Sequence, residues 1–115
     1  MNFETLQSYL QQKPGATEDF PFDNQTLVIK VGGKMFALAG INNDLLRINL
    51  KCDPIKAEFL RQQHPAVLPG YHMNKRHWNT VVLDDTIADA EIYGMIDDSY
   101  VLVVQGLPKA KRPGP

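Results

Sequence analysis

Cysteine is almost absent from this chain of 115 residues, in which Cys52 is the only one. A disulfide within the chain and a four-cysteine zinc site are therefore both excluded, and a reducing compartment is the simplest fit. No apolar run approaches the ~20 residues that a membrane-spanning helix needs. The first 15 residues also lack the basic start and the apolar core of a secretory signal. We therefore expect a cytoplasmic protein.

Motifs that carry catalysis are missing as well. The sequence contains neither GxxxxGK[ST] nor GxGxxG, the loops that cradle nucleotide phosphates, and it has no GxSxG elbow for a serine nucleophile. Cys52 could in principle act as a nucleophile with a histidine as its base. Its position at the end of a predicted strand, next to a helix cap, favours a buried structural thiol instead. We expect no enzymatic activity and no cofactor.

Charge is present in ordinary amounts, but it is unevenly distributed. The net charge is −1, yet residues 26–83 carry eight bases and three acids, whereas residues 84–104 carry six acids and no base. Three further bases lie in residues 109–115. Such a distribution can produce a positive face on a nearly neutral protein. Charges that only solvate the surface would give the same pattern, so this alternative stays open.

Local patterns predict an α+β fold, with one domain over residues 1–108 and a basic, flexible tail over 109–115. Asn2 can cap a first helix, which Pro14-Gly15 ends. Glycines 32 and 33 are typical of a two-residue hairpin turn. Strands rich in β-branched or alternating residues are predicted over 26–31, 34–39, 47–52 and 78–83, with a turn at 42–44. These strands would form an antiparallel meander.

Two further helices complete the predicted fold. Asp53 and Pro54 are typical of a helix start, and this helix is predicted to end before Pro65 with Ile55, Phe59 and Leu60 facing inward. A last helix is predicted from Thr86 to about Gly106. Its apolar residues recur every three or four positions, which places them on one face: Ile92, Ile96, Tyr100, Val103 and Leu107. We expect the N- and C-terminal helices to pack on one face of the sheet.

The most informative stretch is PGYHMNKRHWNT, residues 69–80. It combines two histidines, two bases, two asparagines and two large aromatic residues. Cations bind phosphates, amides read base edges and flat rings stack on bases, so this mixture is typical of nucleic-acid recognition. An architectural interpretation stays open beside it. In that case Tyr71 and Trp78 anchor the loop in the core and Asn74 caps a turn.

Metal sites are predicted only weakly. His72 and His77 could ligate a metal ion, but no third ligand stands near them in the sequence. The acids within residues 84–98 could hold a hard cation, although they lack the spacing of a calcium loop and also suit the start of a helix. We therefore assign no metal ligands, and we keep metal binding through the acidic segment as an alternative function.

Several segments together resemble the MmcQ/YjbR family. They are KPGATEDFPF (13–22), VGGKMFAL (31–38), LKCDP (50–54), LRQQHP (60–65), PGYHMNKRHWNTV (69–81), DDSY (97–100) and LPKAKR (107–112). The resemblance implies a frataxin-like, double-wing α+β fold. Members of the family are usually called DNA-binding proteins, a label that derives largely from similarity of fold. The family implies no catalytic residues.

The leading hypothesis is therefore a monomeric DNA-binding module that uses its basic hairpins and the 69–80 loop. The predicted contacts are Lys30, Lys34, Arg47, Lys51, His72, Asn74, Lys75, Arg76 and His77. A different class of function, a small-molecule-binding or protein-binding domain, would use a pocket lined by Tyr71, His72 and Trp78. Both hypotheses remain open at this point.

Overall fold

The computed structural model describes residues 1–21, 25–42, 44–71 and 73–114, apart from the side chain of Asn42. Within these ranges three α-helices and six strands alternate irregularly, which confirms the predicted α+β class. In order they are α1 (Phe3–Gln11), β1 (Ala16–Asp19), β2 (Leu27–Val31), β3 (Lys34–Asn42), β4 (Leu45–Lys51), α2 (Pro54–Gln63), β5 (Val67–Pro69), β6 (Trp78–Val82) and α3 (Asp89–Gln105). None of the helices in these ranges is long and apolar enough to span a bilayer.

The strands form one sheet in the order β1-β2-β3-β4-β6-β5, and every neighbouring pair is antiparallel. The four predicted strands are present, but both edge strands, β1 and β5, were missed. Their sequences, ATED and VLP, are too short and too polar or proline-rich to show the alternation of a half-buried strand. Glycines 32 and 33 both have positive φ and form the predicted β2–β3 turn. The predicted turn at 42–44 includes Asn43, which lies outside the described residues.

All three helices cover the same face of the sheet. Helix α3 packs on β2, β3 and β4, while α1 lies against β1 and α2 lies against β5 and β6. The predicted stripe of α3 is confirmed, because Ile92, Ile96, Val103 and the following Leu107 are buried. Helix α3 begins at Asp89 rather than at Thr86. Ala88 has the extended geometry of an N-cap, with a ψ of 142°, so the helix cannot include the residues before it.

Helix α2 corrects a prediction. Its Asp53 cap is confirmed, since the carboxylate accepts the backbone N–H groups of Ile55 and Lys56. However, the prediction that Ile55 and Phe59 face inward was wrong, because their exposed fractions are 81% and 59%. The helix contacts the sheet through a narrow strip around the buried Ala57 and Leu60.

A bulge in β3 shapes the end of the sheet where the basic residues gather. The register shifts between Ile29 and Lys30, and Phe36 is the extra residue on β3. Ser99 of α3, fully buried, bridges the irregularity. Its hydroxyl donates to the carbonyl of Phe36 at 2.6 Å and accepts the backbone N–H of Lys51 at 2.9 Å. This end of the sheet is therefore fixed to α3.

The basic tail is folded as far as it is described. Residues Lys109–Lys111 form a 3-10 turn. The Arg112 guanidinium donates to the carbonyls of Leu107 and Gln105, each at 3.0 Å, and so caps the end of α3. The Lys111 carbonyl lies beside the β2–β3 turn, close to Gly32. The flexibility of the tail stays a prediction. The division of the chain at residue 108 stays a prediction.

Candidate functional site

The face of the sheet opposite the helices is basic, and its side chains range from buried to half-buried. We call it the open face and define it by side chains of the four central strands: Val28, Lys30, Leu38, Arg47, Asn49, Lys51, Trp78 and Thr80. Ladder pairs place them on one side, for example Leu38 beside Asn49 and Asn49 beside Thr80, and alternation along each strand adds the others. Three of the predicted DNA contacts, Lys30, Arg47 and Lys51, therefore share this face.

A shallow cleft of about 250 Å³ lies in the open face around Arg47. We call it the Arg47 cleft. Gly40 stands directly opposite Arg47 in the β3–β4 ladder. Because glycine has no side chain, the space beside Arg47 is left open. The cleft is lined by Thr26, Leu38, Gly40, Ile41, Arg47, Asn49, Tyr71 and Thr80.

A short chain of hydrogen bonds fixes the orientation of the polar groups in this cleft. The backbone N–H of Tyr71 donates to Thr80 Oγ1 at 3.0 Å, and the Thr80 hydroxyl donates to Asn49 Oδ1 at 2.5 Å. Because the amide oxygen of Asn49 is used in this way, its NH₂ group points to the other side and offers only donors. Asn49 and Thr80 are buried, with exposed fractions of 8% and 2%, so this orientation is held firmly.

Arg47 adds further donors to the same cleft. It forms no ion pair with any carboxylate in the described part of the chain. Its Nε–H is buried and has no acceptor among the described protein atoms. A buried donor without an acceptor costs about 1–3 kcal/mol, and native proteins contain few such groups. The cleft thus presents a positive charge and converging N–H groups, the arrangement that suits an anion.

A second cleft, of about 350 Å³, lies at the end of the sheet near the last turn of α3. We call it the Trp78 cleft. Two predicted DNA contacts, Lys34 and Lys51, line it together with Met35, Trp78, Val103 and Gly106. The C-terminal end of a helix carries a partial negative charge that stabilises nearby cations. The basic tail follows directly after Gly106, so several bases gather at this end of the molecule.

The two bases of the 69–80 loop, Lys75 and Arg76, lie on the side of the loop that faces α2. Asn74 caps a turn, as the architectural interpretation predicted, by accepting the N–H of Arg76 at 3.0 Å. Lys75 donates to the carbonyl of Gly70 at 3.1 Å, and its own carbonyl accepts a bond from Arg61 of α2. Arg76 lines a cavity with residues of α2. The loop bases therefore lie at the α2 edge of the sheet, away from the Arg47 cleft.

The remaining predicted residues are placed as follows. His77 adjoins the end of β4, since its carbonyl accepts the N–H of Cys52 at 2.8 Å, and His72 lies outside the described residues. Tyr71 and Trp78 line different clefts rather than one pocket. Tyr71 is 64% exposed, so the interpretation that it anchors the loop in the core was wrong. It stands at the rim of the Arg47 cleft instead.

The acidic segment lies on the helical side, where cations already occupy it. Asp97 pairs with Lys13 and Asp98 pairs with Lys56. His64 Nε2 lies 2.6 Å from an oxygen of Glu91, although the direction is not that of a hydrogen bond. Within the described residues no group of three His, Cys, Asp or Glu side chains could hold a metal ion. These contacts give metal binding through residues 84–98 no support.

Cys52 lies in the core, which confirms the prediction that its thiol is buried. It is buried, and burial raises the pKa of the Cys52 thiol above its ordinary value despite the nearby Lys56 ammonium. A raised pKa reduces the fraction of thiolate, which is the reactive form.

Sequence reasoning missed most of the Arg47 cleft. Alternation in β4 does place Arg47, Asn49 and Lys51 on one face, and that signal was available. The contributions of Gly40 and Thr80, however, depend on which strands pair and in which register. Asn49 and Thr80 are 31 residues apart in the chain, and the Gly40–Arg47 pair depends on the register of the β3–β4 hairpin, so alternation within one strand encodes neither pair.

Comparison with known proteins gives consistent results. A family model described as YjbR matches residues 11–102. The uncharacterised protein YjbR of Escherichia coli strain K12 is 40% identical over 112 residues, which cover 97% of this chain and 95% of that protein. The uncharacterised protein YyaQ of Bacillus subtilis strain 168 is 30% identical and covers 86% of this chain and 95% of its own. A crystal structure of a Deinococcus radiodurans protein superposes with a TM-score of 0.87 at 45% identity, covering 94% of this chain and 83% of that one.

Proposed function

We propose that this chain, which belongs to the YjbR family, binds DNA through the basic open face of its sheet. The observation that carries the proposal is the separation of charge between the two sides of the sheet. Lys30, Arg47 and Lys51 lie on the open face, where each side chain is half-buried. The acids of α3 lie on the helical side, where Asp97 and Asp98 are neutralised by ion pairs.

The chemistry of the open face suits a phosphate backbone. Lysine ammonium groups bind phosphate oxygens and release counterions from DNA, which makes the affinity fall as salt rises. Lys51 lies next to Lys34 and Trp78 in the Trp78 cleft, so a cation and a flat ring are available at the same place. Contacts of this kind position a protein on DNA without reading a sequence. We therefore infer binding with little sequence preference.

The test compares lysines on the two sides of the sheet. Replacing Lys30 and Lys51 together by Gln removes two positive charges from the open face. We expect affinity for a fluorescent duplex of random sequence to fall by about tenfold at low salt, and the slope of log K against log salt to become shallower by about 2. Fluorescence anisotropy between 50 and 200 mM salt measures both. Lys56→Gln is the matched control, because Lys56 is a lysine on the helical side that pairs with Asp98.

Three results would count against the proposal: no binding at low salt, binding that does not depend on salt, or an equal loss in Lys56→Gln and in the double variant. The loop is examined separately by replacing both Lys75 and Arg76 with Gln. An unchanged affinity in that variant would remove the loop from the interface and leave the open face in place. A loss there without a loss in Lys30→Gln/Lys51→Gln would move the interface to the α2 edge and overturn the proposal.

A further inference from the structure

We propose that the Arg47 cleft is a binding site for a small organic anion, a carboxylate or a phosphate monoester with an apolar body. This inference does not depend on DNA binding, because it rests on the interior of the cleft rather than on the lysines of the open face. The groups that carry it are Arg47, Asn49 and Gly40, with the apolar wall formed by Leu38, Ile41 and Tyr71.

The polar side of the cleft accepts an anion and rejects a cation. Arg47 offers a planar fork of donors that fits the two oxygens of a carboxylate or phosphate. Asn49 turns its NH₂ group away from Thr80, because its oxygen already accepts the Thr80 hydroxyl. The buried Nε–H of Arg47, which has no acceptor among the described protein atoms, would gain one from such a ligand.

The apolar side specifies the body of the ligand. Tyr71 is 64% exposed, so its ring stands at the rim of the cleft, where it can contact a ligand. Ile41 lies at the end of β3 and pairs with the buried Leu46, so it also lines a cavity on the α1 side of the sheet, together with Phe3, Phe20 and Gln25. The Arg47 cleft itself, at about 250 Å³, is smaller than the ~300–1,000 Å³ typical of ligand pockets. An anionic group would therefore occupy the cleft while its apolar body lies along Leu38 and the Tyr71 ring.

The depth of the donors separates this ligand from a DNA backbone. Asn49 is only 8% exposed, so an anion must enter end-on to reach its amide. A carboxylate or a phosphate monoester ends in unsubstituted oxygens and can do so. A phosphodiester inside a polynucleotide is substituted on both sides, and the chain on either side would be held off by Ile41 and Tyr71.

The test uses phenyl phosphate, benzoate and inorganic phosphate as probes against the ¹⁵N-labelled full chain. We expect phenyl phosphate and benzoate to shift the side-chain signals of Arg47 Nε–H and Asn49 NH₂ and the amides of Gly40 and Tyr71, and to bind more tightly than inorganic phosphate. Arg47→Gln should weaken binding at least tenfold. Arg47→Lys should weaken it as well, because a lysine keeps the charge but loses the planar fork. Lys56→Gln is the control and should bind normally.

Gly40→Val supplies a second, independent test. A Cβ at Gly40 meets only ordinary contacts, the nearest being the carbonyl oxygen of Gln25 at 3.6 Å, so the variant should fold. Its side chain would occupy the cleft opposite an intact Arg47 and should abolish binding of phenyl phosphate. Shifts that are absent at millimolar probe, that are equal for inorganic phosphate and phenyl phosphate, or that survive in both Arg47→Gln and Gly40→Val would overturn the inference.

Discussion

Gly32→Ala is expected to destabilise the protein by about 3 kcal/mol, whereas Gly33→Ala should cost only about 1 kcal/mol. Both glycines have positive φ, 57° and 81°, so each alanine is strained in the backbone. The difference is what each new methyl group meets. At Gly32 it would lie 2.6 Å from a methyl carbon of Leu107 and 2.8 Å from the carbonyl oxygen of Lys111, while at Gly33 nothing lies within 4 Å.

Urea unfolding of the two variants measures this difference directly. Leu107 can move only at the expense of the core, and the carbonyl of Lys111 belongs to the backbone of the folded tail. We therefore expect Gly32→Ala also to shift the amide signals of residues 107–112, whereas Gly33→Ala leaves them unchanged. Equal costs in the two variants, with an unperturbed tail in both, would show that residues 109–112 do not pack against the hairpin.

The fold was predictable where a single element carries its own signal. The spacing of Ile92, Ile96 and Val103 specified the buried side of α3, and Asp53 followed by Pro54 marked the start of α2. Those signals are local, so they survive in an isolated sequence. The prediction for the buried side of α2 was wrong, because the sequence of a helix does not show how wide a strip of it contacts the sheet. Ile55 and Phe59 lie outside the narrow strip that touches the sheet.

The candidate site was predictable only in part, for a related reason. Bases in the hairpins were visible, and alternation put Arg47 and Lys51 on one side of β4. The cleft also needs Gly40 beside Arg47 and Thr80 beside Asn49, and both pairs follow from strand register. For the loop residues, the sequence instead predicted a role that their contacts do not support. Their composition predicted a recognition surface, but Arg61 and Gly70 hold the loop around Lys75 against the α2 edge.

The separation of charge between the two sides of the sheet also explains how the open face could bind both DNA and a small anion. Acids that would repel an anion are kept on the helical side by specific partners, chiefly Lys13 and Lys56. The acids of α3 therefore do not neutralise the bases of the open face. Charge on the helical side therefore contributes to stability, whereas charge on the open face is available for binding.

Asp97→Asn is expected to lower the free energy of unfolding by about 2 kcal/mol at pH 7, while Asp98→Asn should change it by less than about 0.5 kcal/mol. Asp97 accepts the Tyr9 hydroxyl at 2.7 Å and pairs with Lys13, which joins α1 to α3. The Lys13 ammonium also lies 4.9 Å from the centre of the Tyr9 ring. The figure is at the low end for two charge-assisted bonds because Asp97 is 46% exposed. Asp98 is the matched neighbour, paired only with the half-exposed Lys56.

The contribution of Asp97 has a definite pH dependence. Burial alone would raise the pKa of Asp97, but the hydrogen bonds from Lys13 and Tyr9 outweigh it and hold the pKa below its ordinary value. A carboxyl with a lowered folded pKa stabilises the fold fully above the unfolded pKa of about 4, and this stabilisation is lost as the pH falls through the folded pKa.

On the alkaline side, burial disfavours charged Lys13, but the hydrogen bond and the negative charge of Asp97, together with the contribution of Tyr9, outweigh burial and raise the pKa of Lys13. Its stabilisation is therefore full below the unfolded lysine pKa of about 10.4 and is lost as the pH rises through the folded value.

Urea unfolding of wild type, Asp97→Asn and Asp98→Asn at pH 2, 3, 5, 7 and 9 tests this assignment. The difference between wild type and Asp97→Asn should be constant from pH 5 to pH 9, because both carboxylate and ammonium are charged throughout that range. It should shrink at pH 3 and again at pH 2, as the carboxyl becomes protonated in the folded protein too. A difference that is as large at pH 2 as at pH 7 would mean that Asp97 acts through packing alone. An equal cost in Asp98→Asn would assign the effect to the net charge of α3 rather than to the contact between α1 and α3.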